Sequence, residues 1–99
     1  MSADKRRVYS IDASRKPKGY QQITSLSSAV GLTVPSFARI AVIQAEAQIV
    51  RWRDDSVDPS STVGMPLAVG ASMVYAGNLS TVKFIQAASG AILNVTYYD

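Results

Sequence analysis

The chain has 99 residues, 47% of them apolar, and a formal charge of +3, which is the size and composition of one small domain. It contains no cysteine and no histidine. That excludes disulfides, thiolate and serine–histidine nucleophiles, and zinc sites built on thiolate or imidazole, so acid–base work is left to carboxylates.

Nothing in the sequence approaches the roughly 18 apolar residues of a membrane-spanning helix. No apolar signal segment follows the charged start. The expectation is a protein that stays in the cytoplasm where it is made and has no membrane partner. A mean hydropathy of +0.10 is high for so short a chain and predicts apolar area left on the surface.

The charge is lopsided. Residues 1–18 hold Lys5, Arg6, Arg7, Arg15, Lys16 and Lys18 against Asp4 and Asp12, a net +4; four cations meet five acids in the remainder, a net −1. Residues 1–19 therefore read as an extended basic arm, poor in apolar residues and closed by Pro17 and Gly19. Residues 20–99 read as a single domain.

Short strands are expected from Tyr20 to Val34, around the serine-rich stretch Thr24–Ser28 and the break at Gly31. Phe37–Arg53 is the longest apolar-rich segment. As a strand pair it sets Ala41, Ile43 and Ala45 against Ile40 and Val42, then turns Val50 and Trp52 inward and Arg51 and Arg53 outward. A helix competes, with Ser36 as cap and Phe37, Ile40, Ile43, Ala47 and Val50 near one stripe. Asp54–Gly64 is a long polar loop, and Pro66 assigns Met65–Leu67 to a sheet edge or a strand start. Ser72–Tyr75 and Thr81–Ala87 flank a Gly77-Asn78 hairpin signal. Ala91–Tyr98 then places Ala91, Leu93, Val95 and Tyr97 on one face. The pattern predicts a three-strand meander from residue 72 onward. The fold class expected is all-β, a small antiparallel β-sandwich or jelly-roll-like barrel carrying the arm.

Few residues suggest chemistry. Asp54, Asp55 and Asp58 share a loop, but they lack the spacing of a helix–loop–helix calcium site, and turn capping with pairing to Arg51 and Arg53 is the plainer reading. Glu46 with a loop aspartate is a weak two-carboxylate pair. Arg51-Trp52-Arg53 resembles a stacking site for single-stranded nucleic acid, yet on a strand the tryptophan points away from both arginines. No cofactor is expected. The arm can release counterions from phosphates, dock on an acidic protein surface, or stay solvated. Tyr97 and Tyr98 face opposite ways, so one of them is available at a surface.

Gly19-Tyr20-Gln21-Gln22-Ile23-Thr24, Ile43–Gln48, Val50–Asp55, Gly64-Met65-Pro66-Leu67 and the ending from Leu79 to Tyr98 resemble a group of small tailed-bacteriophage proteins described as virion structural proteins. The resemblance spans residues 19–98. It implies an all-β domain present in many copies on a particle, as a head decoration or cement protein, and no catalytic residues. The group has a glycine after the paired aspartates where this chain has Ser56, which leaves the turn type there open. From the resemblance come the expected localisation, the virion, and the expected partners, capsid or other virion proteins and further copies of the chain. Contact residues expected are Lys5, Arg6, Arg7, Arg15, Lys16, Lys18 and one or other of Tyr97 and Tyr98. A tail, fibre or baseplate accessory that binds glycans through exposed tyrosines is the second reading, and a nucleic-acid-binding module is the third.

Overall fold

β-branched and aromatic residues at alternating positions give this chain its strands. The computed structural model describes residues 14–99. Among them are eight strands and no helix: β1 (Pro17–Ile23), β2 (Val30–Gly31), β3 (Ile40–Glu46), β4 (Val50–Arg53), β5 (Met65–Leu67), β6 (Ser72–Tyr75), β7 (Lys83–Gln86) and β8 (Ile92–Tyr98). They form two antiparallel four-stranded sheets, β1-β8-β3-β6 and β2-β7-β4-β5, packed as a small β-sandwich. Strands rather than a helix therefore occupy residues 40–46 and 50–53. Pro66 lies on edge strand β5, where its missing N–H interrupts no inner ladder.

The chain turns from the first sheet to the second at a tight corner. Gln48 N–H donates to Glu46 C=O at 2.9 Å, across an Ala47 with φ of 75°. A three-residue turn with positive φ at its centre is rare and strained, and no glycine or proline announces it here. It splits the apolar run of residues 40–53 into two strands on different sheets.

The meander expected from residue 72 does not form. β6 pairs with β3 in one sheet, β7 with β4 and β2 in the other, and β8 with β3 and β1 back in the first. Gly77-Asn78 therefore lies in a crossover between sheets, not in a hairpin. The crossover is anchored by its own apolar residues, Leu79 and Val82, which are buried between the layers and hold the chain away from a direct β6–β7 return. The sheet also claims Pro17–Gly19, which the composition had assigned to the arm.

The core is centred on β8. Leu93, Val95 and Tyr97 are fully buried, facing Ala45, Ile43 and Ala41 of β3 in register. Ala41 pairs with Tyr97 on one side and Tyr75 on the other, so a methyl group leaves room for two phenol rings. Phe84, Val50 and Val82 fill the facing layer, and Leu26 and Ala91 close the end. The Tyr97 hydroxyl donates to Gln21 Oε1 at 2.7 Å. That oxygen also accepts from Thr33 N–H, while Gln21 Nε2 donates to Thr33 Oγ1. The polar Gln21 thus faces inward and Tyr20, 64% exposed, faces solvent, because β1 must supply a partner for the buried Tyr97 hydroxyl.

Two outcomes follow for chemical denaturation. Gln21→Ala leaves the Tyr97 hydroxyl without a partner and lowers stability by about 1–3 kcal/mol, whereas Tyr97→Phe, which removes the group in need, costs roughly 1 kcal/mol. Burial also pushes the Tyr97 phenol up to about 12 from its ordinary 10.0. The raised value means that the folded state holds its proton where the unfolded state has lost it. Stability from this group is complete below pH 10 and is lost between pH 10 and about 12, by roughly 2–3 kcal/mol. Tyr97→Phe flattens that part of the pH–stability curve.

Candidate functional site

The sandwich has two unlike ends. Strand register brings Pro17, Ile40, Tyr75 and Tyr98 together at one end of the first sheet, and Arg53, Met65 and Lys83 at the same end of the second. Trp52 and Tyr75 join the sheets there, rings edge-to-face with centroids 6.0 Å apart. The long connections 32–39, 54–64 and 76–82 all lie at this loop end. The opposite end holds short turns, including the Ala47 corner and Gly70 and Gly90, both with positive φ.

Loop 54–64 is built, not slack. Arg51 spans it, donating from Nε to Ser61 C=O at 3.2 Å and from Nη1 to Gly64 C=O at 2.9 Å. Ser60 closes a turn on Val63 through its backbone and its hydroxyl, and Pro59 is buried beneath. Gly64 sits so close to β4 that a Cβ there would lie 3.1 Å from Pro59 Cβ and 3.2 Å from Arg51 Cβ. Arg53 holds Asp55 by a two-pronged ion pair, which lowers the Asp55 pKa and raises that of Arg53. Asp54 accepts from the Tyr75 hydroxyl at 2.8 Å, and burial together with that bond raises the Tyr75 pKa. Gly77 makes the reach possible, since a Cβ on it would lie 2.5 Å from the Tyr75 hydroxyl oxygen. Ser56 has a φ of 66°, so the turn after the paired aspartates keeps a glycine-type conformation although the residue is serine. The aspartates are thus spread over separate tasks, and among the described residues no group of three acidic side chains could hold a metal ion.

Beside this loop opens a broad, open cavity of about 530 Å³, lined by Trp52, Arg53, Asp54, Asp55, Val63, Gly64 and Met65, with a mostly apolar surface. Across the same end, Ala38 N–H donates to Pro35 C=O at 3.2 Å and closes a four-residue turn. Its third residue is Phe37, with φ of 68° and 81% exposure. That position favours glycine or asparagine. An aromatic residue there stores about 1–2 kcal/mol of backbone strain and displays its ring to water.

The root of the arm is fastened at the same end. Lys16 N–H donates to Asp99 Oδ1 at 2.8 Å, Asp99 N–H returns a bond to Lys16 C=O, and Arg15 Nη1 donates to Asp99 C=O. Lys18 Nζ stands 4.0 Å from Asp99 Oδ2. The Lys16 bond and the three cations hold the Asp99 carboxyl below its usual range. Lys5, Arg6 and Arg7 lie outside the described residues.

The outer face of the first sheet carries a second polar feature. Tyr20 OH and Gln22 Nε2 both donate to Asn94 Oδ1, at 2.7 and 3.0 Å, and Asn94 Nδ2 donates to Glu46 Oε1 at 2.9 Å. A shallow groove of about 310 Å³ runs beside it, between Tyr20 and Ser72.

The contact residues expected from the sequence are thus dispersed. Arg15, Lys16 and Lys18 cluster at Asp99. Tyr97 is fully buried and offers no surface, which leaves Tyr98, half-buried on the outer face, as the outward member of the pair. Trp52 packs between the sheets with Arg51 and Arg53 turned away, and both arginines are occupied by loop carbonyls and Asp55. Phe37 was missed as an exposed residue, because it reads as the start of the apolar segment Phe37–Arg53, as a strand pair or on a helix stripe capped by Ser36. Its only sequence signal is a large apolar residue in the turn after Pro35. Comparison with protein-family models, curated proteins and solved structures finds no match for this chain.

Replacing Arg51 by Ala frees two loop carbonyls at once. The expected cost is about 1–2 kcal/mol, with hydrogen exchange rising at Val63 and Gly64 and unchanged in β8.

Proposed function

We propose that this chain is a non-enzymatic structural protein of a tailed-phage particle, a capsid decoration or cement module that works by assembling with virion proteins and with its own copies. One observation carries the mode of action: the loop end projects Phe37, Val57, Val63 and Met65 into water, each more than half exposed. Apolar side chains gathered at one end of a domain are a contact surface in want of a cover. Covering a ring such as that of Phe37 is worth roughly 2–3 kcal/mol before the costs of association, and repetition over many copies multiplies it.

The choice of particle rests on the resemblance of residues 19–98 to virion structural proteins. The arm fits the same reading. Arg15, Lys16 and Lys18 are held by Asp99 at the loop end. In this reading the cations of residues 1–19, among them Lys5, Arg6 and Arg7 outside the described residues, dock on an acidic surface of a neighbour.

A second reading is favoured by the outer face of the first sheet. An exposed tyrosine ring whose hydroxyl is pinned by Asn94, next to free amide and hydroxyl groups, has the donors, acceptors and flat apolar surface that a sugar ring needs. A tail or fibre accessory would use it. Tyr20→Ala abolishes retention on immobilised host glycans under that reading and leaves particle attachment intact under the first.

Peptide counting by mass spectrometry on purified particles from cells that produce the chain tests the proposal. The expected result is tens to hundreds of copies per particle, retained through a density gradient. Recovery only in the soluble fraction contradicts it.

A further inference from the structure

We infer that two copies of this chain meet loop end to loop end, each seating its Phe37 ring in the Trp52–Val63–Met65 cavity of the other. The inference deepens the assembly reading given above and rests on it.

Three observations select a second copy as the occupant. The first is fit. The open cavity of about 530 Å³ is large enough to seat a phenyl ring, and its mostly apolar surface matches that ring. The second is charge. Two residues after Phe37 stands Arg39, exposed and without an ion-pair partner among the described residues. The cavity lining carries Asp54, and Asp55 already paired with Arg53, with Asp58 beyond them on the same loop, so three carboxylates outweigh one guanidinium there. A ring entering the cavity brings its arginine to those carboxylates. The third is position. Knob and cavity share one end of the molecule: the turn 35–38 lies against β1 and leads into β3 of the first sheet, while the cavity lies at the β4–β5 edge of the second. Two copies related by a two-fold axis can therefore exchange knobs and close, whereas features on opposite ends would polymerise.

The area is consistent with a pair. Two phenylalanine rings bury about 300–500 Å² between them. A specific interface needs roughly 1,000 Å² or more in total. Val57 and Val63, half exposed on the loop beside the cavity, and the facing turn 35–39 add to that area.

The backbone at Phe37 provides a clean test. Phe37→Gly removes the knob and suits the φ of 68°, so the fold is expected to gain stability while the pair is lost. Sedimentation equilibrium of the full chain from 1 to 300 μM is expected to show a monomer–dimer transition. Phe37→Gly, and separately Met65→Lys at the exposed cavity wall, each weaken it at least tenfold, with melting temperatures no lower than that of the unaltered chain for Phe37→Gly. Mixing the two variants restores a hetero-pair, because one intact knob then faces one intact cavity. A monomer throughout the range overturns the inference, as does Phe37→Gly associating like the unaltered chain. Loss in both variants without recovery on mixing overturns the pairing of this knob with this cavity. Particle attachment of the Phe37→Gly chain, counted as above, tells a failed pair from a failed assembly role.

Discussion

The structure depends on one buried group, the Tyr97 hydroxyl. β8 is the second strand of its sheet, and its inward row ends in a phenol rather than a hydrocarbon. A phenol fills the layer where Ala41 leaves room, and it brings a polar atom that cannot go unpaired. Gln21 answers it and is itself held by Thr33. One hydroxyl thereby fixes the face that β1 presents, draws in the β2–β3 connection, and turns Tyr20 outward. The start of β1 then brings Arg15, Lys16 and Lys18 to Asp99.

Alternation between sheets has a consequence for surfaces. All but one of the connections cross from one layer to the other, so each runs over an end of the sandwich. Core closure uses some of their residues, Leu26, Leu79, Val82 and Ala91. The remainder have no inward duty. At the loop end these include an exposed phenylalanine in a strained turn and a cavity with apolar walls. Strain of this kind at an exposed aromatic residue motivates the assembly role proposed for this end. The hydrogen bonds of Arg51, Ser60 and Asp54 keep the loop beside the cavity in one shape, so little ordering cost falls on a partner that binds there.

Sequence reasoning reached the class of fold and the inward row of β8 because period-2 alternation is strong in Ala91–Tyr98. The edge position of Met65–Leu67 was legible from Pro66. The inward turn of Val50 and Trp52 was legible from their neighbouring arginines. The pairing of the last three strands was not. A Gly-Asn pair signals a turn, but it does not say whether the chain returns to the same sheet or to the other one; buried Leu79 and Val82 decide that. The corner at Ala47 was hidden for a different reason. Phe37, Ala47 and Ser56 all adopt positive φ with side chains that do not advertise it. Two of those three positions lie at the loop end, which is why the candidate site was the least legible part of the chain.

What the domain offers is an end surface, held rigid and apolar, with cations rooted next to it. Hydrogen exchange of the full chain at 2 μM and at 300 μM tests this most directly. The predicted result is added protection in residues 34–39 and 54–65 at the higher concentration, with the corner end around residues 47–49 and 87–90 unchanged. Identical exchange at both concentrations, or protection gained at the corner end instead, would contradict it.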